Sequence, residues 1–373
     1  MSTVEGLRKM ALETEAGSGH RGYWYCISDA LVLMVCGMLC SLQTIEDIYE
    51  WSKAEPVRAF LKEQFSIEKF PCRAQFYNIL GCVDAEQFSL SFMKWMQAML
   101  QDGVAGRTIA IDGKSICSTG KLSKEGSMLH IVSTIVSECG MVIGSRDCGT
   151  NGSEVMAFRE LIELLDVADA VVVADALHCK KQSAKAVVEA GADYLFSVKA
   201  NNPDLRENIA LYFQEEQAES IAKTEKNGGR IETRTGFVSR DIAWLHGRED
   251  WTNLTCIGAI HAEFEKDGKK SSAWHYYISS APLTAESLLK HARLEWGVEA
   301  MHWLLDVHFA EDKTRVWDTN VQNTLNIARK TVLNLVKNFK SKTKSNLAIS
   351  KILKRNLFDL NNFSEFLETL RVN

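Results

Sequence analysis

Proline is scarce, with 4 residues in 373, which excludes a Pro-rich linker or tail. Long apolar runs are missing too. The longest, Ala30 to Cys40, covers 11 residues and is too short to cross a bilayer; a soluble chain with no membrane partner is expected. No apolar run precedes Ile27 to suggest a secretory signal. The ten cysteines include no Cys-x-x-Cys pair and read as reduced thiols of a cytoplasmic protein. Cys36 and Cys40, four apart on one helix face, read as core thiols. No Walker loop or Gly-x-Gly-x-x-Gly motif occurs, so nothing points to ATP or a dinucleotide. A strong charge of one sign is absent as well. The 43 basic and 48 acidic residues give a net charge of −5, which excludes a histone-like basic coat but leaves room for a local basic surface.

What remains is ordinary globular composition, 46% hydrophobic and 24% charged. That apolar fraction excludes disorder over most of the chain, and the length suggests two or three domains. Residues 1–104 read as a helical domain with possible DNA binding. Ser28 is placed as the cap of a helix through Ser41, and Thr44 with Asp47 as a capping box before a helix at Ile45–Lys53. Arg73–Leu80 and Ala85–Leu100 follow, the latter with Phe88, Phe92, Trp95, Met96 and Met99 on one stripe.

The pattern changes at Gly103. Strands are expected at Thr108–Ile111, His130–Ser137, Met141–Gly144, Ala170–Ala174 and Tyr194–Val198, with helices at Glu154–Leu165 and Lys181–Ala190. The order β-β-β-α-β-α-β and the wholly apolar run around Val172 predict an α/β fold whose mixed sheet is covered on both faces. Residues 105–200 form the first part of this core. Residues 201–285 read as a β-rich insertion, with strands at Phe237–Trp244, Thr255–Ile260 and Trp274–Ser279. Residues 286–373 close the chain: one long helix over Ala285–Asp306, a second along Val321, Leu325, Ala328, Val332, Leu335 and Phe339, and a basic tail. Between Lys313 and Arg355 there are eleven basic residues and a single acid, Asp318, an asymmetry that suits a phosphate-tracking surface.

Three acids stand out. Asp112 and Asp175 each directly follow an apolar strand, and Glu299 sits within a helix. Open α/β sheets bind ligands at strand ends. Two aspartates on neighbouring strands repel unless a cation lies between them. Carboxylates with few His or Cys neighbours suit Mg²⁺ or Mn²⁺ rather than Zn²⁺. Two such ions about 4 Å apart serve phosphodiester chemistry. Ordinary turn and cap carboxylates fit the same pattern.

The motifs around these acids decide between the two. The chain resembles insertion-sequence transposases of the DDE type, in the group that includes the H-repeat-associated proteins. The resemblance runs collinearly through Ser28–Leu31, Asp47–Trp51, Phe76–Leu80, Ile111–Lys114, His130–Ser133, Leu161–Leu165, Asp175-Ala176, Val198-Lys199, Gly229–Arg234, Tyr276–Ser280, Trp296–Glu299, His302-Trp303, Leu305–Val307, Glu311-Asp312 and Asn334-Leu335. It implies an RNase H-like catalytic core with the β-rich insertion ahead of the last catalytic helix. It also implies a catalytic and metal-binding triad of Asp112, Asp175 and Glu299, spaced 63 and 124 positions apart. The implied activity is metal-dependent cleavage at element ends and transfer of the freed 3′-hydroxyl into target DNA. That calls for two Mg²⁺ or Mn²⁺ ions, double-stranded DNA, a homo-oligomer on that DNA, and a place at the bacterial nucleoid. Several positions depart from the family pattern: Glu295 stands where His is usual, Ala300 where Asn is usual, Ser115-Ile116-Cys117 lacks the Arg that often follows the Lys of the first motif, and the usual Arg-rich stretch near the N-terminus is reduced to His20-Arg21.

The candidate DNA contacts are Lys114 and Lys199 near strand ends, Arg293 before the catalytic helix, Arg230 and Arg234 in the insertion, and Lys340, Lys342 and Lys344 in the tail. Trp296 and Trp303, seven apart, are expected to pack their helix on the core. His302 and His308, six apart, make a poor metal pair. The rival readings are a DNA-binding protein that has lost catalysis, and a metal-dependent nuclease that cuts without joining.

Overall fold

The computed structural model describes residues 3–17, 24–100, 102–121, 128–149, 152–215, 218–227 and 229–370. Six helices open the chain: α1 (Thr3–Gly17), α2 (Ile27–Leu39), α3 (Ile45–Ser52), α4 (Glu55–Phe65), α5 (Arg73–Gly81) and α6 (Ala85–Met99). The cap read at Thr44 is real: its side chain accepts from the Asp47 amide. Ser28 is not a cap. A helix capped by Ser28 would begin at Asp29; α2 begins two residues earlier, after Cys26, and buries Ser28 in its first turn. Asp84 caps α6 by accepting from the amides of Glu86 and Gln87, which offsets two of the orphan donors at a helix start.

The core then runs β1 (Thr108–Ile116), β2 (Leu129–Val136), β3 (Met141–Asp147), α7 (Glu154–Leu164), β4 (Val171–Ala174), α8 (Lys181–Glu189) and β5 (Asp193–Val198). This is the order the sequence predicts, and its mixed sheet with flanking helices is the RNase H-like arrangement. Strand β1 pairs antiparallel with β2 and parallel with β4, and β4 pairs parallel with β5. Strand β1 outruns its expected end: it continues past Asp112 on β2, although its pairing with β4 stops at Ile111 and Ala174.

Helix α9 (Pro203–Glu215) leads to four long strands, β6 (Glu219–Asn227), β7 (Arg230–Ser239), β8 (Cys256–Lys266) and β9 (Lys269–Ser279). They do not form a separate sheet. Strand β9 pairs with β5, giving one nine-stranded sheet in the order β3-β2-β1-β4-β5-β9-β8-β7-β6. The single helix expected at 285–306 is two, α10 (Ala285–Glu295) and α11 (Gly297–Phe309), joined at Trp296. Helix α10 lies close on the added strands because Gly236 has no side chain; a Cβ there would come within 2.8 Å of Leu289.

Helix α12 (Thr319–Thr343) is buried along most of its length, and α13 (Ile349–Phe358) and α14 (Leu360–Thr369) follow. Asn334 of α12 completes the outer edge of the sheet. Its side-chain amide donates to the Val142 carbonyl at 2.7 Å and accepts from the Val142 amide at 2.8 Å, so a strand edge that would otherwise stay unpaired is satisfied by one side chain.

Candidate active site

Asp112 and Asp175 each follow the last residue of the β1–β4 pairing. In the parallel register Ile111 lies opposite Ala174, where β4 ends; Asp112 continues on β1 opposite Ser133 of β2, and Asp175 begins the turn after β4, close enough for its charge to act on Asp112. Side chains alternate along a strand. Asp112 and Lys114 therefore face α11, and Gly113 faces α7. Asp112 is half-buried. Its pKa is pushed up from 3.8 to about 6, mainly by burial and further by the Glu154 and Asp175 charges, against a hydrogen bond from the Gly113 backbone. Asp175 accepts from the Leu177 amide at 2.8 Å, which fixes the turn leaving β4.

Glu299 is in the first turn of α11 and is exposed. That helix packs on the core through Val298, Met301, Leu305 and Phe309. Trp296 and Trp303 do not pack inward: they are 57% and 60% exposed. They occupy the opposite stripe of the helix, together with exposed Ala300 and Val307. One turn past Glu299, His302 brings Nδ1 to 3.8 Å from Asp112 Oδ2. Burial holds the His302 pKa down at about 3, helped by the Lys330 and Lys114 charges, so the ring is neutral and the contact is not an ion pair.

Glu295 ends α10. Its pKa is pushed up to about 7, first by burial and then by Asp175, with Asp112 and Glu299 adding to the rise and Lys199 opposing it. Glu295 thus feels the charges of Asp175, Asp112 and Glu299. Their mutual repulsion is what a cation relieves. Among the described residues, however, no three His, Cys, Asp or Glu side chains form a ready-made metal cage. The donor set, all carboxylate at the rim, fits a hard divalent cation.

Behind Asp112 lies a polar chain that sequence reasoning missed. Ser115 Oγ is 2.8 Å from His130 Nδ1, His130 Nε2 is 2.7 Å from one Glu154 oxygen, and His178 Nε2 is 3.0 Å from the other. Burial alone would raise the Glu154 pKa, but the hydrogen bonds from His178 and His130 hold it below its ordinary value. Gly113 makes room for this chain, because a Cβ there would come within 2.4 Å of the Glu154 carboxyl carbon. The groups come from β1, β2, α7 and the loop after β4. Only the His three places after Asp175 offered a signal in the sequence.

The candidate cations are spread widely. Lys114 Nζ is held by Asp306 at 2.6 Å, Glu311 at 3.1 Å and Asp312 at 3.6 Å. Lys199 is exposed just past β5. Arg234 and Arg293 share Glu225, at 3.0 and 3.6 Å, and the Arg293 guanidinium lies over Trp296 at 5.4 Å. Arg230 covers the Phe264 ring at 4.2 Å. Lys342 and Lys344 are exposed at the end of α12, and Lys340 is half-buried there. The basic tail is not all surface. Arg329 and Lys330 are 2% and 1% exposed, and Lys330 Nζ donates to Ser133 and Ser145 at 2.8 and 2.7 Å. These two point into the molecule because α12 is a core helix, not a solvated one.

Known proteins match along this framework. The family described as Transposase DDE domain matches residues 105–335, and the DDE_Tnp_1-associated family matches residues 19–96. The "H repeat-associated putative transposase YhhI" of Escherichia coli K12 is 28% identical over 84% of this chain and 85% of its own length. An "Uncharacterized protein in dhlA 3'region" of Xanthobacter autotrophicus is 27% identical over 69% of this chain and 88% of its own. Among solved structures, the piggyBac transposase synaptic complex with hairpin DNA aligns with a TM-score of 0.50 at 12% identity. That alignment covers 98% of this chain and 79% of the other, a likeness of fold.

Proposed function

This chain belongs to the DDE transposase family, and from that premise we propose that it cuts DNA at the ends of an insertion sequence and joins the freed 3′-hydroxyl to target DNA. The observation that supports the reading is the match of the Transposase DDE domain to residues 105–335, within which Asp112 and Asp175 each lie one residue past the last β1–β4 pair and Glu299 lies in the first turn of α11. The family generally uses divalent metals, and in this reading Asp112, Asp175 and Glu299 would hold two Mg²⁺ or Mn²⁺ ions, which would supply Lewis-acid charge for phosphodiester chemistry.

The chain's own groups do the rest. Pairing with β2 fixes Asp112 and the Leu177 amide holds Asp175, so little reorganisation is needed when DNA arrives. Glu295, poised near neutral pH, holds or releases a proton at the rim as charge gathers there. Lys199, Arg293, Arg230, Lys340, Lys342 and Lys344 offer positive charge to the DNA backbone, whereas Arg234, its side chain 13% exposed between Glu225 and Glu232, is enclosed by acids. Copies of the chain act together on paired ends.

The test is cleavage and joining of a labelled element end by the purified chain with Mg²⁺ or Mn²⁺. Asp112→Asn, Asp175→Asn and Glu299→Gln should each lower cleavage by at least about 10³-fold while DNA binding persists. Normal cleavage by any one removes that residue from the site. Cleavage without joining makes the chain a nuclease, and full activity in excess chelator ends the metal reading.

A further inference from the structure

Lys114 follows Asp112 by two residues on β1, so both side chains face the same way. Its ammonium meets three carboxylates. Asp306 comes from α11, at 2.6 Å. Glu311 and Asp312 come from the turn that follows α11, at 3.1 and 3.6 Å. Glu311 is 1% exposed, and its second oxygen accepts from Asn326 of α12 at 2.8 Å. A cation enclosed in this way is not offered to a DNA phosphate. It ties β1 to α11, the helix that carries Glu299.

Two cross-contacts define how strand and helix lie. Asp112 faces His302, and Lys114 faces Asp306. Two strand residues advance about 6.7 Å. The four helix residues from 302 to 306 advance about 6 Å. The advances match, so α11 runs alongside β1 in step with it. Glu299 is three residues before His302, about 4.5 Å back along the same helix face.

We propose that Lys114 is a positioning residue: it clamps α11 onto β1 and thereby sets the reach of the Glu299 carboxylate to Asp112 and Asp175. The inference rests on the reading of those three acids as the catalytic set. An ammonium suits the task because its three donors point in three directions, whereas a planar guanidinium pairs best with one carboxylate.

The test is Lys114→Met, which keeps the apolar stem, compared with Lys114→Arg and with the milder Asp306→Asn. Three measurements are made: amide hydrogen exchange over 297–309, single-turnover cleavage against Mn²⁺ concentration, and the salt slope of DNA binding without divalent ions. Lys114→Met should speed exchange in α11 selectively and raise the Mn²⁺ needed for half-maximal rate by about tenfold. It should also slow saturated cleavage by about 10²-fold and leave the salt slope unchanged. Asp306→Asn should shift exchange in the same direction, and Lys114→Arg should recover only a part. A salt slope smaller by about one, with α11 exchange and Mn²⁺ dependence unmoved, makes Lys114 a phosphate contact and overturns the proposal. Exchange needs no catalysis. If the wild-type chain cuts nothing with any divalent ion, the functional reading fails on its own, and α11 exchange still decides whether Lys114 is the clamp.

Discussion

Asp112 is held ionised at neutral pH against its surroundings. A carboxyl whose folded pKa lies above its ordinary value costs stability only once it ionises. For Asp112 the cost is absent below 3.8, grows as pH rises, and is complete above about 6. Asp112→Asn should therefore stabilise the metal-free chain at pH 7.5 by about 1–2 kcal/mol while abolishing cleavage. Calorimetry across pH 4–8 checks this, and the gain should shrink when Mn²⁺ is added. Lys330 shows the opposite charge in the same predicament. Burial lowers its pKa from 10.5 to about 7. The cost of the buried ammonium is complete below pH 7 and fades as pH rises toward 10.5. Relative to Lys330→Met, the wild-type chain should thus gain melting temperature between pH 7 and pH 10.

At the scale of elements, α11 presents two stripes with the same helical spacing. One is Val298, Met301, Leu305 and Phe309, and the other is Trp296, Ala300, Trp303 and Val307. Periodicity alone does not choose between them, and aromatic bulk favoured the second. The structure buries the first. Met301→Ala should cost about 2–5 kcal/mol, whereas Trp303→Ala should stay within about 0.5 kcal/mol; chemical denaturation separates the two. The start of α7 is set by an equally local fit. Gly113→Ala drives a methyl into the Glu154 carboxyl, which both histidines hold in place. It should cost about 1–3 kcal/mol and slow cleavage by displacing Asp112.

Asp112 and Asp175 stood out because strands buried on both faces read as unbroken apolar runs, so an acid closing such a run is conspicuous; Asp175 does follow the last residue of β4, whereas β1 runs on past Asp112 to Ile116. The helix cap at Thr44 was legible for a similar reason: its chemistry is confined to four residues, although only the Thr44 half of the expected box forms. Strand β6 was not legible, since Glu219–Asn227 has almost no apolar alternation and forms by pairing with β7. The Ser115–His130–Glu154–His178 chain and the Lys114 clamp were hidden because their members meet only in the fold. Trp296 stops the helix expected over 285–306, and the sequence there holds no proline to announce it.

Over the whole molecule, one sheet joins the core to the insertion through β5 and β9, so the added strands extend the core sheet. No helix among the described residues is long and apolar enough to cross a membrane. The exposed lysines at the end of α12 form a positive edge on a chain of net charge −5. Neutralising Lys340, Lys342 and Lys344 together should weaken DNA binding and flatten its salt dependence by up to about 0.9 for each phosphate left without its lysine; an unchanged slope moves the DNA surface elsewhere.

Mn²⁺ binding to the DNA-free chain, followed by the loss of its free-ion paramagnetic signal, reads the acidic rim without requiring catalysis. The wild-type chain should take up the ion, and Asp112→Asn, Asp175→Asn and Glu299→Gln should each weaken uptake by at least about tenfold. Uptake by the Glu299→Gln variant equal to that of the wild type would contradict the convergence of helix and strands on one cation site.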